Sequence, residues 1–268
     1  MTQGAIIFAY NSATYNYYKM AEYTAKRINH FLNIPVSLVT DQNSLPKTSD
    51  YTWDTVVTND PDRTNGRDGN VWINKGRYQA FEFSPYDETI LLDADYIVNS
   101  NKLSNIFTVY DDFACHGTTN FLMYRDLPKD RLSNISHDML WATIVAFKKT
   151  KRAKQVFDCI EMIQKNYDHY ANIHGFLNIP YRNDFALTLA LRIVNGHCIL
   201  TKDIIPWNLT TIGLNTHIYS DSNDKFNTKY TVMFDNWQRG KIKKEYISID
   251  KLDFHLLDKD NVMELING

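Results

Sequence analysis

Cysteine is scarce in this 268-residue chain, and the three present, Cys115, Cys159 and Cys198, are far apart and lack any C-x-x-C spacing. That excludes a disulfide framework and a cysteine zinc site, and it points to a reducing compartment. No apolar run approaches the ~18 to 20 residues that a membrane span requires. The amino terminus, Met1-Thr2-Gln3-Gly4, shows neither a basic region nor a small-residue cleavage site, so no signal peptide is expected. Excess charge is missing too: 29 Lys and Arg face 31 Asp and Glu, a formal net charge of −2. This excludes the bulk basic character of a nucleic-acid coat, although local patches stay open. Neither a P-loop pattern nor G-x-G-x-x-G follows the first apolar run, and no G-x-S-x-G elbow occurs, so P-loop, dinucleotide and serine-hydrolase chemistries find no support. A soluble cytoplasmic protein without a membrane span is the expectation.

What is present suits one α/β domain: 44% hydrophobic and 13% aromatic residues can bury a sizeable core. Ala5 to Tyr10 reads as a buried parallel strand. Tyr18, Ala21, Ala25, Ile28 and Leu32 then recur every three or four residues on one helical face, ended by Asn33 and Pro35. Val36 to Thr40 is a second strand, so the chain opens as a β-α-β unit of Rossmann type. Residues 42 to 70 read mostly as loops, with Val56-Val57 as a strand candidate. The pattern predicts a helix over Trp72 to Phe83, a strand over Thr89 to Leu92, and irregular structure over 96 to 136. A strand at Ile144 to Phe147 leads into a helix from Thr150 to about Tyr167, with Val156, Phe157, Ile160 and Ile163 inward. A helix from Asn183 or Asp184 to Val194 and a strand at His197 to Leu200 follow. Residues 207 to 268 alternate like short strands, with Gly213 and Gly240 at turns, and close on a helix, Asn261 to Ile266. No repeat or linker divides the chain.

Three D-x-D tripeptides occur, Asp60/Asp62, Asp93/Asp95 and Asp258/Asp260, so the pattern alone distinguishes nothing. Only Asp93-Ala94-Asp95 follows an apolar strand, Ile90-Leu91-Leu92, and the strand period of two sends both carboxylates to one side. Unpaired carboxylates about 5 Å apart repel by roughly 3 kcal/mol at an effective dielectric of 20. Such a pair wants a hard divalent cation, whose open positions then bind phosphate. A pair of turn aspartates ending the strand is the plainer alternative.

The stretch Asn74-Lys75-Gly76-Arg77 followed by Ser84-Pro85-Tyr86-Asp87-Glu88-Thr89-Ile90-Leu91-Leu92-Asp93-Ala94-Asp95-Tyr96-Ile97-Val98 resembles the central segment of GT-A glycosyltransferases. The likeness is to the glycogenin-like and lipopolysaccharide galactosyltransferase group, where a basic helix leads through a Pro to "iLyLDaDtiv". It implies a GT-A-like single domain, α/β, with a mixed, mostly parallel central sheet flanked by helices. Residues 1–100 would form a nucleotide-binding half, and 101–268 an acceptor-side half ending in a segment that completes the metal site. It further implies Mn²⁺ or Mg²⁺ on Asp93, Asp95 and His255, with Lys259 on the diphosphate. Imidazole in the ligand set favours Mn²⁺. Asn74, Arg77 and Ala94 would face the donor, with Lys75 a weaker candidate. Ala9, Tyr10, Asn11 and Asp41 would receive base and ribose at the strand ends.

Asp184 matches the family's position beside the transferred sugar, where a carboxylate orients the sugar, acts as base or supports an oxocarbenium-like transition state. It also suits a plain helix N-cap. One departure stands out: the family's Asn-x-Gly before the strand at Ile144 is here Met139-Leu140-Trp141-Ala142-Thr143. The implied activity is transfer of a sugar from a UDP- or GDP-sugar to a hydroxyl acceptor, a glycan or a modified DNA base. A sugar-phosphate nucleotidyltransferase and a non-catalytic nucleotide-sugar binding module are the alternatives. The Lys148, Lys149, Lys151, Arg152 and Lys154 cluster reads as a solvated face or as a footprint for a phosphate-bearing acceptor.

Overall fold

The computed structural model describes residues 1–67, 70–123, 130–222, 224–238 and 241–267. Its central sheet is made of the most continuous apolar runs. β1 (Gln3–Phe8), β2 (Val36–Thr40), β3 (Val56–Thr58) and β6 (Glu88–Leu92) are parallel, and β10 (Trp141–Lys148) runs antiparallel between β6 and β8 (Phe113–His116). The order is β3-β2-β1-β6-β10-β8. β2 and β6 are buried at every residue, the mark of strands covered on both faces. The α/β class, with a mixed and mostly parallel sheet flanked by helices, is therefore as expected.

The helices follow their local signals. α1 (Tyr17–Leu32) starts where the Asn16 side chain accepts the Lys19 N–H and ends where Asn33 turns left-handed at φ 54°. All five residues of its predicted face are buried, and it packs on β1 and β2. α4 (Lys151–Lys165) is capped by Thr150, and α6 (Asn183–Val194) packs against it and against β10. The four predicted inward residues of α4 are buried.

Several boundaries move. The segment predicted as a helix over 72 to 83 begins only at Lys75, as a 3-10 turn (Lys75–Gln79) running into the short α2 (Ala80–Phe83). The region 96 to 136 is not wholly irregular. It holds β7 (Tyr96–Ile97), α3 (Ile106–Val109), β8 and β9 (Thr119–Phe121). A separate α5 (Tyr167–His174) follows α4, and Gly175 ends it at φ 70°. His197 to Leu200 is no strand: His197 is left-handed at φ 70° and Thr201–Asp203 is a 3-10 turn. Gly240 and residues 124–129 lie outside the described residues.

A second sheet positions the site. It runs β7-β15-β11-β9, with β11 (Leu209–Ile212) parallel to both β9 and β15 (Phe254–Leu256). β15 pairs antiparallel with β7, placing Phe254 opposite Ile97 and His255 opposite Tyr96. The late chain thus returns to the strand directly after the acidic pair. Between lie the meander β12 (Thr216–Ser220), β13 (Lys229–Gln238) and β14 (Lys241–Asp250), and α7 (Lys259–Asn267) closes the chain. A two-stranded ribbon, β4 (Gly66–Arg67) and β5 (Asn70–Val71), stands apart. One hydrophobic cluster extends from Ala5 on β1 to Val262 on α7.

Candidate metal and nucleotide site

The acidic pair sits where β6 ends. Asp93 N–H donates to the Thr143 carbonyl at 3.0 Å, and Tyr96 N–H to the Asp93 carbonyl at 3.2 Å. The chain therefore reverses within three residues, and Leu256 N–H secures β15 to the Asp95 carbonyl at 3.1 Å. This brings together Asp93, Asp95 and His255, with one ligand atom of each within 4.8 Å of the others. His255 Nε2 is 3.3 Å from Asp95 Oδ1 and 4.0 Å from Asp93 Oδ2.

The other carboxylate oxygens are spoken for. Arg77 Nη1 donates to Asp93 Oδ1 and Lys259 Nζ to Asp95 Oδ2, both in close ion pairs. Arg77 is buried and also donates to the Ala142 carbonyl at 2.9 Å. Lys259, at the first turn of α7, is buried too and donates to the Leu257 carbonyl at 3.0 Å. Burial pushes the Asp93 carboxyl upward against the pull of Arg77. Burial acts the same way on Asp95, but there Lys259 and then His255 outweigh it and hold the group below the usual carboxylate range.

Asp95 Oδ1 is buried without a hydrogen-bond partner among the described residues. Thr143 Oγ1 lies 3.4 Å from His255 Nδ1. With Nδ1 donating to that hydroxyl, Nε2 would turn a lone pair toward Asp95 Oδ1, an arrangement that a cation would suit. Two carboxylates and one imidazole, with Asp93 keeping 28% of its side-chain surface open, fit a divalent ion of borderline hardness. Asp258/Asp260 and Asp60/Asp62 belong to no such group among the described residues.

Asp184 lies in the first turn of α6; the N-cap itself is Arg182. Its Oδ1 takes the Ala142 N–H at 2.9 Å and its Oδ2 the Arg182 guanidinium at 2.9 Å. The segment Trp141-Ala142-Thr143 is the opening of β10 and not a loop before it. It holds Asp184, Arg77, Asp93 and His255 through four separate contacts. Thr143 carries no sequence signal of this role, which comes from register alone.

At the ends of β1 and β2, Ala9, Tyr10 and Asp41 are buried, and burial pushes the Tyr10 hydroxyl up to about 12. Asn11 accepts the Tyr18 N–H at 3.0 Å, and its own N–H donates to Ser44 Oγ at 2.7 Å, so it knots β1 to α1 and to the loop after β2. Asn74 accepts from Asn65 at 3.3 Å through its side chain and from Asn183 at 3.1 Å through its carbonyl. The buried Ala94 offers its carbonyl to Thr24 at 2.8 Å. Lys75 is bound to Asp62 at 3.0 Å and Thr64 at 2.8 Å. Tyr17, which drew no attention in the sequence, is raised by burial and further by the charges of Asp95 and Asp93.

The basic cluster is largely consumed within the molecule. Lys148 pairs with Glu88 at 3.2 Å, Arg152 with Asp203 at 2.7 Å and Lys154 with Asp158 at 2.8 Å, while Lys149 donates to the Phe81 carbonyl.

No family model matches the chain, and no curated protein matches it. Among solved structures, it is similar to the apo-form glycosyltransferase GlyE of Streptococcus pneumoniae TIGR4, at 14% identity, 72% of this chain, 44% of that one and a TM-score of 0.42. A second GlyE structure gives 14% identity, 70% and 43% coverage and 0.42. The galactosyltransferase LgtC in complex with donor and acceptor sugar analogs is matched at 11% identity over 70% of each chain, with a TM-score of 0.45. The chain thus spans less than half the length of GlyE. No helix among the described residues is long and apolar enough to cross a membrane.

Proposed function

We propose that this chain is a metal-dependent glycosyltransferase that moves a sugar from a nucleotide-diphosphate donor to a hydroxyl acceptor. The observation that carries the reading is the convergence of Asp93, Asp95 and His255 at the end of β6, with His255 Nε2 facing the buried Asp95 Oδ1 at 3.3 Å. Those three residues would hold Mn²⁺ or Mg²⁺, which when bound supplies Lewis-acid stabilisation of the leaving diphosphate. Thr143 orients His255 for that task.

Arg77 and Lys259 supply the remaining positive charge. Each rests on a carboxylate of the pair, and donor phosphates offer both a second set of charge-assisted bonds. Ala9, Tyr10, Asn11 and Asp41 are assigned to base and ribose, since nucleotides usually bind beyond the carboxyl ends of parallel strands. Asn74 and Ala94 are assigned to the donor as well.

Asp184 is assigned to the sugar. Both of its oxygens already accept hydrogen bonds from protein donors, which suits a fixed negative charge near an oxocarbenium-like centre better than a proton-accepting base. Uridine and guanosine diphosphate sugars are the donors to test first. The internal pairing of the Lys148 to Lys154 cluster favours a glycan over a DNA acceptor.

The test is a screen of UDP- and GDP-sugars for Mn²⁺-dependent consumption, with and without EDTA. Asp95→Asn should abolish turnover by about a thousandfold or more while the far-ultraviolet spectrum stays unchanged. Full activity of that variant in EDTA would overturn the reading.

A further inference from the structure

The loop after β3 is held by more bonds than a connection needs. Besides the two bonds from Lys75, Asp62 Oδ1 takes the Thr64 N–H at 2.7 Å. The buried Asn65 donates to the Tyr181 carbonyl at 3.1 Å and to Asn74 Oδ1 at 3.3 Å. Between these anchors stands Arg63. Its Nη1 donates to the Asn11 carbonyl at 3.2 Å and its Nη2 to Asp41 Oδ2 at 2.5 Å, while 44% of its side chain stays exposed. The guanidinium thus bridges the ends of β1 and β2. Asp41 is buried, but the Arg63 end of the pair stays open to solvent, which leaves part of the guanidinium available to a ligand.

The position is informative along the sheet. Neighbouring strands lie about 4.8 Å apart and β2 is two strands from β6, so Asp41, with Arg63 bonded to it, is set off from the acidic pair by roughly 10 Å across the sheet. A nucleoside diphosphate with its phosphates at Asp93, Asp95 and His255 extends its nucleoside across that distance. Asp41, buried, accepts Ser44 N–H at 3.0 Å on Oδ1 and Arg63 Nη2 at 2.5 Å on Oδ2, which fixes the guanidinium beside it. Arg63 contributes donors not used by Asn11 and Asp41, and a planar face that stacks on aromatic rings.

Resting on the nucleotide-sugar reading, we propose that Arg63 is a nucleoside-binding residue that lays its guanidinium on the nucleobase beside Asp41. Lys75, Asp62, Thr64 and Asn65 then act as the mount that holds it in place.

Titration calorimetry with UDP, GDP and inorganic diphosphate, each with Mn²⁺, tests this on the wild type, Arg63→Ala and Arg63→Lys. Arg63→Ala should bind the preferred nucleotide about tenfold more weakly, the size of one stacking contact, and inorganic diphosphate within about twofold of the wild type. Arg63→Lys, charged but not planar, should recover only part of the loss. Unchanged nucleotide affinity in Arg63→Ala overturns the proposal, as does an equal loss for inorganic diphosphate. A wild type that binds neither nucleotide defeats the nucleotide-sugar reading itself, and Arg63's role with it. The wild-type titration separates that failure from the first two.

Discussion

At the scale of single residues, the site is a balance of buried charges. Lys259 keeps Asp95 ionised in a place that would otherwise favour its protonated form. Lys259→Met leaves that carboxylate buried without its cation, and urea denaturation should show a loss of about 3 kcal/mol in metal-free buffer. Added Mn²⁺ should return part of it by binding the folded state. Gly4 makes a different point. A Cβ there would lie 2.4 Å from the Tyr86 ring, and the Tyr86 hydroxyl is held by Ser37 at 2.7 Å and Asp54 at 3.0 Å, so the ring has little freedom to retreat. Gly4→Ala should cost about 2 kcal/mol in the same assay, with Mn²⁺ affinity unchanged.

At the scale of elements, the main question is what ties α1 to the carboxyl-terminal part of the chain. Arg27 lies beside the apolar stripe of α1 and is only 1% exposed. Its guanidinium donates to the Val98 carbonyl at 2.7 Å, the Asn227 carbonyl at 2.7 Å and the Lys225 carbonyl at 3.3 Å, and it bonds the Asn99 side chain as well. One side chain thus joins α1, the exit of β7 and the loop before β13. Arg27→Met should lower unfolding free energy by about 3 kcal/mol, because several buried carbonyls lose their donor together. A loss under 1 kcal/mol would mean that water replaces the guanidinium there. Periodicity marked Tyr18, Ala21, Ala25, Ile28 and Leu32 correctly because an apolar stripe is a local property of a helix. Arg27 escaped notice because its partners are about 70 and 200 positions away.

At the scale of the whole molecule, the buried His116 sets a pH response. Burial, with help from Lys102, pulls its pKa down to about 3, and neither ring nitrogen has a hydrogen-bond partner among the described residues. A folded-state pKa below the unfolded value of about 6.5 stabilises the fold above that value. The contribution is lost as pH falls from about 6.5 toward 3, at up to about 1.4 kcal/mol per unit. Burial raises Asp253, which acts in the opposite sense, so the clean measurement is a difference. Stability of the wild type and His116→Leu, compared from pH 7 to 4, should diverge with the wild type losing more. Parallel curves would show that His116 charges in the folded state without penalty.

The β-α-β opening, the buried strand before Asp93 and the helix from Asn183 could all be read from the chain, because each depends on residues within one turn or one pleat. His197 to Leu200 misled for the same local reason: its apolar residues fit a strand, but it finds no strand partner among the described residues. Which aspartates matter could be narrowed only by context, from three tripeptides to one. The pairing of β15 with β7 brought His255 to Asp95, and the register of β10 made Thr143 and Ala142 the frame for four site residues. Neither can be read locally, since strand pairing is settled by the competition of all strands for partners and burial. The sequence determined which side chains could do the chemistry, and the tertiary structure decided which of them meet.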